Sequence, residues 1–325
     1  MNDTNGHTKA LHVMTHSGWY RFEKNADSWN QVDRDLTFWN LSCVATDPED
    51  PQTVYAGTEH SGLFFTNDGG ESWSRSTPNV PNLDIFSLWA LPGSLFVGTR
   101  PAALFYGAPG QEWQELPGVR EGGTGGTFPP NPAQAPRTRY LTGDPSSPSR
   151  LYAGIEVGGL LLSDDNGSDW RAANEGLWDH DIHQLHHCKY EPDLVVAACG
   201  EGIFRSRDRA SHWEEITPSD THTYGTTITE TDDGSLYLGI TLGRPNTWVR
   251  KVGASAAILR SEHEATGWKL LAEGFRGGVM DAVPDPDGPG IIAATSEGEI
   301  MIVDETSCHT IASGLPCINE IAIGS

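Results

Sequence analysis

The stretch Tyr55-Ala-Gly-Thr-Glu-His-Ser-Gly-Leu-Phe-Phe-Thr-Asn-Asp-Gly-Gly-Glu-Ser-Trp73 decides the fold, because the chain contains the same pattern a second time. The second copy reads Tyr152-Ala-Gly-Ile-Glu-Val-Gly-Gly-Leu-Leu-Leu-Ser-Asp-Asp-Asn-Gly-Ser-Asp-Trp170. Each copy has two short apolar runs and ends in Ser/Thr-x-Asp-x-Gly-x-x-Trp. A repeat of this kind predicts a fold built from copies of one small structural unit.

Further copies of the closing motif are more divergent. The copy at Ser206 to Trp213 has Ala210 in place of the glycine, and a copy at 302–311 has lost the tryptophan. Weaker copies end at Trp29, Trp113 and Trp268. We expect the motif to be a hairpin turn in which Ser/Thr and Asp bond the backbone, Gly takes positive φ, and Trp packs between sheets. The repeated aspartates, Asp68, Asp165 and Asp208, are therefore predicted to be structural and not catalytic.

The motif resembles the Asp-box (BNR) repeat, whose family members are β-propellers. Each repeat contains four short apolar or alternating runs, and a four-stranded repeat of about 40–45 residues is typical of propeller blades. We therefore predict an all-β, seven-bladed β-propeller of four-stranded antiparallel blades, forming one domain over residues 1–325. The C-terminal run at 317–325 should complete blade 1 together with 10–31, which removes two exposed sheet edges. Six blades is the main alternative.

Composition limits the functional classes. The 37 Gly, 21 Pro and 11 Trp favour short strands and turns over helices. The net charge of −23 argues against binding of nucleic acids or anionic membranes. Five cysteines without a Cys-x-x-Cys pair, and a polar N-terminal stretch, predict a reduced cytoplasmic protein.

Two long insertions, at 118–135 and 242–254, interrupt the repeat spacing. In a propeller, both of these connections emerge on the face where the innermost strands begin, opposite the Asp turns. Long loops in compact folds are usually functional or disordered. We expect the insertions to overhang one mouth of the central channel, although the glycine run at 122–126 is equally consistent with a plain connector.

The side chains expected at that mouth provide the candidate site. Acid–base chemistry requires groups that exchange protons near neutral pH, and arginine pairs bind carboxylates or phosphates bidentately. The candidate catalytic residues are His183, His222, Tyr224 and Asp181. The candidate substrate-binding residues are Arg100, Arg137, Arg139, Arg276, Trp39, Glu156, Glu201 and His60.

A divalent metal in the channel is a weaker possibility. It would require about three His or carboxylate ligands converging from different blades, for example His16, His183 and His222. Histidines on strands more often serve as packing residues, so the metal remains an alternative to the acid–base site.

The resemblance leaves two functional classes. Sialidases share the repeat but carry a Phe/Tyr-Arg-Ile-Pro motif that is absent here, so sialidase activity is not expected. Xyloglucanases with this repeat style use two facing propellers, whereas this chain provides one. We expect a hydrolase or lyase that acts on a small anionic or sugar-like molecule at the channel mouth. The alternative is a non-catalytic propeller, like the photosystem-assembly members, that binds a protein or a glycan.

Overall fold

The fold is described from a computed structural model for residues 9–25, 28–76, 80, 83–122, 135–248, 253–262 and 264–324. Nearly all regular structure in these ranges is β-strand. One short helix, α1 (Val119–Gly122), and a turn of 3-10 helix at Pro245–Thr247 are the exceptions among them. No helix in the described ranges has the length and apolarity that crossing a bilayer requires.

The strands follow one another along the chain with few residues between them. The first fourteen are β1 (Ala10–Thr15), β2 (Gly18–Asn25), β3 (Ser28–Asp35), β4 (Leu41–Thr46), β5 (Val54–Thr58), β6 (Gly62–Thr66), β7 (Ser74–Ser76), β8 (Ile85–Leu91), β9 (Ser94–Thr99), β10 (Leu104–Gly107), β11 (Gln114–Leu116), β12 (Arg137–Asp144), β13 (Ser147–Glu156) and β14 (Gly159–Ser163). The others are β15 (Arg171–Ala172), β16 (Ile182–His187), β17 (Val195–Cys199), β18 (Ile203–Ser206), β19 (Glu214–Glu215), β20 (Tyr224–Glu230), β21 (Leu236–Thr241), β22 (Ala256–Ser261), β23 (Lys269–Phe275), β24 (Val279–Pro284), β25 (Ile291–Thr295), β26 (Ile300–Val303), β27 (Cys308–Ala312) and β28 (Ile318–Gly324).

These strands form seven four-stranded antiparallel sheets arranged as a ring, which confirms the predicted seven-bladed propeller. Blades 2 to 7 each use four consecutive strands, beginning at β4, β8, β12, β16, β20 and β24. Blade 1 has the order β28-β1-β2-β3, so its innermost strand comes from the C-terminal end of the sequence. Val13 of β1 lies opposite Ile321 of β28. The predicted closure by pairing of these two strands is therefore confirmed.

The core consists of buried apolar clusters at the seams between neighbouring blades. The tryptophan of the closing motif lies in these clusters; Trp213, for example, joins blades 4 and 5 and is 6% exposed. Its indole N–H donates to the Ala173 carbonyl at 2.9 Å. Trp73 is only partly buried, because Trp19 already fills the seam between blades 1 and 2 and Trp73 packs edge-on against it. The predicted packing between sheets is present, with unequal burial.

The closing motifs form the expected hairpin turns. In blade 2, Thr66 Oγ1 accepts hydrogen bonds from the backbone N–H groups of Asp68 and Gly70, and Asp68 Oδ1 accepts one from Ser72 N–H. The same bonds recur in the copies that begin at Ser163 and Ser206. In the last copy Ala210 adopts a φ of +67°, so this position tolerates alanine where glycine was expected.

Every innermost strand contains a β-bulge at the same position. The strand pairing skips Ser42 in β4, and it skips the corresponding residue of each other blade. The skipped residues of blades 3 to 7 and 1 are Phe86, Arg139, His183, Thr226, Met280 and Asn319. A bulged residue leaves the alternation of the strand and its side chain is re-aimed. We call these seven residues the bulge ring.

The bulge ring lies near the end of the channel where the innermost strands begin. We call this end the mouth, and the opposite face, which carries the hairpin turns of the closing motifs, the turn face. The second insertion reaches the mouth, because the Trp248 ring lies against Tyr224, the first residue of β20, with ring centroids 6.5 Å apart. Residues 123–134 of the first insertion and 249–252 of the second lie outside the described residues.

Candidate functional site

A small polar cavity occupies the channel within the bulge ring. Its volume is about 30 Å³, enough for about two water molecules and too small for a sugar. Five bulge-ring residues line it, together with the residues that follow them in four of the strands. The lining consists of Arg139, Tyr140, His183, Gln184, Thr226, Met280, Asp281, Asn319 and Glu320. A ligand much larger than water does not fit inside this cavity.

Two carboxyl groups lie in the channel, of which Asp281 is buried and Glu320 is partly buried. Burial raises the pKa of Asp281 to about 6. Burial and the neighbouring Asp281 raise the pKa of Glu320 well above its usual value. Asp281 accepts a hydrogen bond from Ile321 N–H at 3.0 Å and Glu320 accepts one from Val44 N–H at 3.2 Å. Both bonds connect one blade to the next, so these carboxyl groups have a structural role.

Other polar side chains near the channel make the same kind of connection. Ser87 Oγ donates to the Thr138 carbonyl at 2.7 Å, and Gln184 accepts a hydrogen bond from Ile228 N–H at 2.6 Å. Ser42 donates to the Ile85 carbonyl. We call this set, with Asp281 and Glu320, the cross-blade belt. Sequence reasoning missed it, because each bond joins residues that are far apart in the chain.

At the mouth of blade 4, Glu156 is held between two arginines. Arg137 binds it bidentately, with Nε and Nη2 at 2.9 and 2.7 Å from the two carboxylate oxygens. Arg139 Nε lies 3.6 Å from Glu156 Oε2. Burial by itself raises the pKa of Glu156, but the two guanidinium groups outweigh it and the net pKa is lowered. The three residues that sequence analysis named here are thus brought into one cluster.

His183 and Asp181 of blade 5 lie beside that cluster. His183 Nδ1 is 2.6 Å from the Gly225 carbonyl oxygen, so Nδ1 carries the proton and donates to it. His183 is 8% exposed, and its Nε2 lies 3.6 Å from Asp181 Oδ1, which is too long for a hydrogen bond. Neither atom has a hydrogen-bond partner among the described residues. Two buried polar atoms therefore face each other, and neither has its hydrogen-bonding capacity satisfied.

The charged neighbours of this pair determine its protonation. Burial raises the pKa of Asp181, but His183, Arg244 and Arg137 outweigh that effect and the net pKa is lowered. The Tyr224 ring packs on the His183 ring with centroids 4.5 Å apart. Burial, together with the charges of Glu156 and Asp181, raises the pKa of Tyr224. At neutral pH the site thus combines an ionised carboxylate with a protonated phenol.

Arg100, from blade 3, belongs to the same sector of the mouth. The guanidinium carbons of Arg100 and Arg137 lie 4.8 and 4.5 Å from the centroid of Phe86, a bulge-ring residue. Arg100 Nη2 is 3.0 Å from Asp84 Oδ2, and the other oxygen of Asp84 lies 2.6 Å from His60 Nδ1. Phe86 and Asp84 position the predicted arginine. The sequence signal for Phe86 is its place directly after Ile85, which corresponds to His183 after Ile182.

The arginines of the mouth are largely neutralised, which weakens the predicted site for an anion. Arg100 pairs with Asp84, Arg137 pairs with Glu156, and Arg244 Nη2 lies 2.7 Å from Glu201 Oε1. The carboxyl groups of this sector outnumber its guanidinium groups: Glu59, Asp84, Glu156, Asp179, Asp181 and Glu201 against Arg100, Arg137, Arg139 and Arg244. A neutral polar ligand suits these charges better than an anionic one.

The remaining predicted residues lie outside the cluster. Trp39 packs on Phe64 within the seam of blades 1 and 2. His222 Nε2 is 2.9 Å from the Ser255 carbonyl oxygen, where it fixes the end of the second insertion. Arg276 lines an open groove between blades 6 and 7, and His16 lies exposed in the turn after β1. The structure thus concentrates the candidate site in blades 3 to 6.

The metal alternative involves different residues from those expected. Glu156, Asp181 and His183 have ligand atoms within 4.8 Å of one another. However, the bidentate ion pair with Arg137 occupies both oxygens of Glu156 and places a positive charge beside any cation. His16 and His222 do not join His183 in a ligand group among the described residues. The residues present at the mouth therefore fit a metal ion poorly.

Comparisons with known proteins place the fold among propellers that include glycoside hydrolases. No protein-family model matches the chain. An oligoxyloglucan-reducing end-specific xyloglucanase of Emericella nidulans is 26% identical over 191 residues, which is 51% of this chain but 22% of that protein. The chain therefore spans about a fifth of the length of this curated relative.

Solved structures show the same fold at low identity. A putative 6-phosphogluconolactonase from Bacteroides fragilis has a TM-score of 0.72 at 13% identity, covering 99% of both chains. The GH74 xyloglucanase from Xanthomonas campestris has a TM-score of 0.67 at 13% identity, covering 97% of this chain and 52% of its own. YCF48 from Cyanidioschyzon merolae has a TM-score of 0.56 at 12% identity, with 87% and 94% covered. The chain is a seven-bladed propeller with xyloglucanase and YCF48 neighbours.

Proposed function

We propose that this protein is a hydrolase that acts on a carbohydrate at the mouth, with Asp181 and His183 as its base. One observation carries the proposal. Asp181 Oδ1 and His183 Nε2 are buried, lack hydrogen-bond partners among the described residues, and lie 3.6 Å apart. A water molecule can donate one hydrogen bond to each atom. The xyloglucanase relative supports a carbohydrate as the substrate class.

The geometry supports a simple proton path. The Gly225 carbonyl holds the proton of His183 on Nδ1, so Nε2 can take a proton from water as the water oxygen attacks the substrate. Asp181, whose pKa is lowered, remains ionised and stabilises the imidazolium that forms. His183 then returns the proton to the departing oxygen of the substrate. One bond is broken, one water is consumed, and the enzyme regains its initial protonation.

Neighbouring residues would bind the sugar. Tyr224 remains protonated and can donate a hydrogen bond, while its ring and that of Trp248 provide apolar surface beside His183. The paired groups of Arg137 and Glu156 offer fixed donors and acceptors to sugar hydroxyls without a large net charge. These contacts favour the sugar-like ligand over the anionic one. The lyase alternative stays a prediction.

The pKa values of the carboxyl groups at the mouth indicate which type of bond the site can cleave. Cleavage of a glycosidic bond usually requires a carboxylic acid with a raised pKa. The pKa values of Glu156 and Asp181 are both lowered. Asp179 has a raised pKa, but its oxygens accept the N–H groups of Asp181 and Glu201. Asp281 and Glu320 also have raised pKa values, but they line the channel cavity, which is too small for a sugar. A histidine base therefore suits a sugar ester or lactone, and the glycosidic bond is the second candidate.

The test is a hydrolysis screen with two substrate panels. One panel contains aldonolactones and acetylated sugars, and the other contains aryl glycosides and xyloglucan oligosaccharides. Asp181→Asn and His183→Gln should each lower kcat by about 10²–10⁴-fold and leave KM little changed. Asp165→Asn on the turn face is the matched control and should retain full kcat.

The outcomes of the screen separate the alternatives. Turnover that survives both mouth substitutions would contradict the assignment of the base. Binding of a glycan without turnover on either panel would favour the non-catalytic alternative.

A further inference from the structure

A second group of potential ligands lies far from the mouth, at the seam of blades 5 and 6. His186 is near the end of β16, Cys188 directly follows that strand, and Glu230 ends β20. The imidazole nitrogen, the thiol sulfur and the carboxylate oxygen lie within 4.8 Å of one another. Both strands run from the mouth to the turn face, so this group lies at the turn-face end of the channel. It takes no part in the proposed hydrolysis.

The positions of the three side chains are fixed by the fold. His186 Nε2 lies 2.9 Å from Glu230 Oε2, and the same oxygen accepts the N–H of Lys189 at 2.7 Å. The backbone N–H of Cys188 donates to the Leu194 carbonyl at 3.0 Å. Cys188 is 3% exposed and belongs to the apolar cluster between blades 5 and 6. Hydrogen bonds to the ligand residues hold the ligand atoms in position in the absence of a metal.

The ligand types indicate a particular class of ion. Thiolate and imidazole favour zinc and related ions, whereas magnesium and calcium prefer oxygen ligands only. Two ligand atoms on a tetrahedral zinc ion, with bonds of about 2.0–2.1 Å, lie about 3.4 Å apart. The separation of 2.9 Å between His186 and Glu230 therefore needs only a small adjustment.

The local charges also favour a cation. Cys188 lies beside the carboxylates of Glu230 and Glu191, whose negative charges attract a cation. The ammonium group of Lys189 pairs with Asp232, 3.2 Å away. A divalent ion bound by a thiolate, a carboxylate and a neutral imidazole forms an electrically neutral unit, which suits a buried seam. This group differs from the mouth, because no arginine among the described residues binds its carboxylate bidentately.

We propose that His186, Cys188 and Glu230 bind one zinc-like divalent ion, with a water molecule as the fourth ligand, and that the ion links blades 5 and 6. Because the thiol must lose its proton, binding should release a proton and strengthen as the pH rises.

The experiment is a titration of the full chain with Co²⁺, which reports thiolate ligation through a charge-transfer band in the near ultraviolet. We expect one equivalent to produce the band, and Zn²⁺ to displace the cobalt. Cys188→Ser should abolish the band, whereas Cys308→Ser and Cys317→Ser should keep it, because these two cysteines lie elsewhere. Saturating Zn²⁺ should raise the melting temperature of the unmodified chain but not that of Cys188→Ser.

A second variant tests the site independently if Cys188→Ser does not fold. Glu230→Gln can still accept the Lys189 N–H, and it should weaken Co²⁺ binding at least about ten-fold while the band keeps its shape. Absence of the band in the unmodified chain at pH 8 would overturn the proposal. The same holds for a band that persists in Cys188→Ser, or for cobalt affinity that Glu230→Gln leaves unchanged.

Discussion

The turn face and the mouth differ in how their polar side chains are satisfied. On the turn face, Thr66, Ser163 and Ser206 bond backbone groups two and four residues further along. In the channel, the bonds reach across blades, as from His183 to Gly225 and from Ile321 to Asp281, whereas the mouth adds ion pairs within a blade, such as Arg137 with Glu156. Local bonds can be repeated in every blade, whereas a bond between blades depends on which two blades meet. The repeated face is therefore structural, and the irregular face can hold chemistry.

The largest effect should follow removal of residues 318–324. This deletion takes β28 out of blade 1 and removes Glu320 from the cross-blade belt, while every turn of the turn face keeps its own bonds. We expect cooperative thermal unfolding to be lost, because the ring opens and the inner edge of β1 is exposed. Circular dichroism and calorimetry would measure this. A truncated chain that melts as sharply as the full chain would show that local turns suffice.

A large but smaller effect is expected for the buried tryptophan of the closing motif. Trp213→Ala should lower the free energy of unfolding by about 3–5 kcal/mol, because it opens a cavity at the seam of blades 4 and 5. Trp73→Ala should cost clearly less, because this ring is only partly buried and its N–H has no hydrogen-bond partner among the described residues. Urea unfolding of both variants provides the comparison, and equal losses would contradict it.

The channel carboxyl groups should make stability depend on pH. The pKa of Asp281, about 6, lies above that of an unfolded carboxyl group, so the folded chain binds additional protons. This contribution to stability is present at low pH and is lost as the pH rises through 6. Glu320→Gln keeps an acceptor for Val44 N–H and removes one channel carboxyl group. It should raise the free energy of unfolding by about 1–2 kcal/mol at pH 8 and little at pH 5.

Urea unfolding of the unmodified chain and of Glu320→Gln at both pH values measures this difference. A variant that is destabilised equally at both pH values would show that the carboxylate is needed in its charged form.

The smallest effect is expected on the turn face. Asp68 accepts hydrogen bonds from the Ser72 and Thr66 hydroxyl groups, and these lower its pKa to about 2. Its contribution is present above the unfolded pKa and is lost as the pH falls through 2. Because the side chain is exposed to solvent, Asp68→Ala should cost at most about 1 kcal/mol at pH 7. Chemical denaturation would detect a larger loss, which would mean that these turns contribute more than local order.

The sequence predicts the ring, the blade count and the closing strand, because strand runs, turns and seam tryptophans follow local rules. It also places Arg137, Arg139, Glu156, Asp181, His183 and Tyr224 at one mouth, where the structure brings them together. It does not predict which charges pair. The anion site was inferred from arginines without their partners: Asp84 and Glu156 each lie on the neighbouring strand end of the same blade and pair with Arg100 and Arg137.

The residues that sequence reasoning missed share one property. Asp281 shows no motif, Phe86 shows only its place after Ile85, and the roles of both arise from contacts with other blades. His222 and Trp39 were expected at the mouth because they lie on connections that enter the innermost strands. In the structure, His222 holds the end of the second insertion and Trp39 packs in the seam of blades 1 and 2. Placement along a strand can be predicted, whereas the identity of the neighbour on the next blade cannot.

The repeated bulge has a consequence for how such a protein can change. Each bulge-ring residue is left out of the strand pairing, so the sheet does not depend on its side chain. The present set already ranges from Ser42 and Thr226 to Arg139 and Met280 on one backbone geometry. Evolution or a designer can therefore exchange the groups at these positions without altering the strand pairing, although Ser42 and His183 also bond to a neighbouring blade. These seven positions are the natural place to build a library of propellers with new ligand specificities.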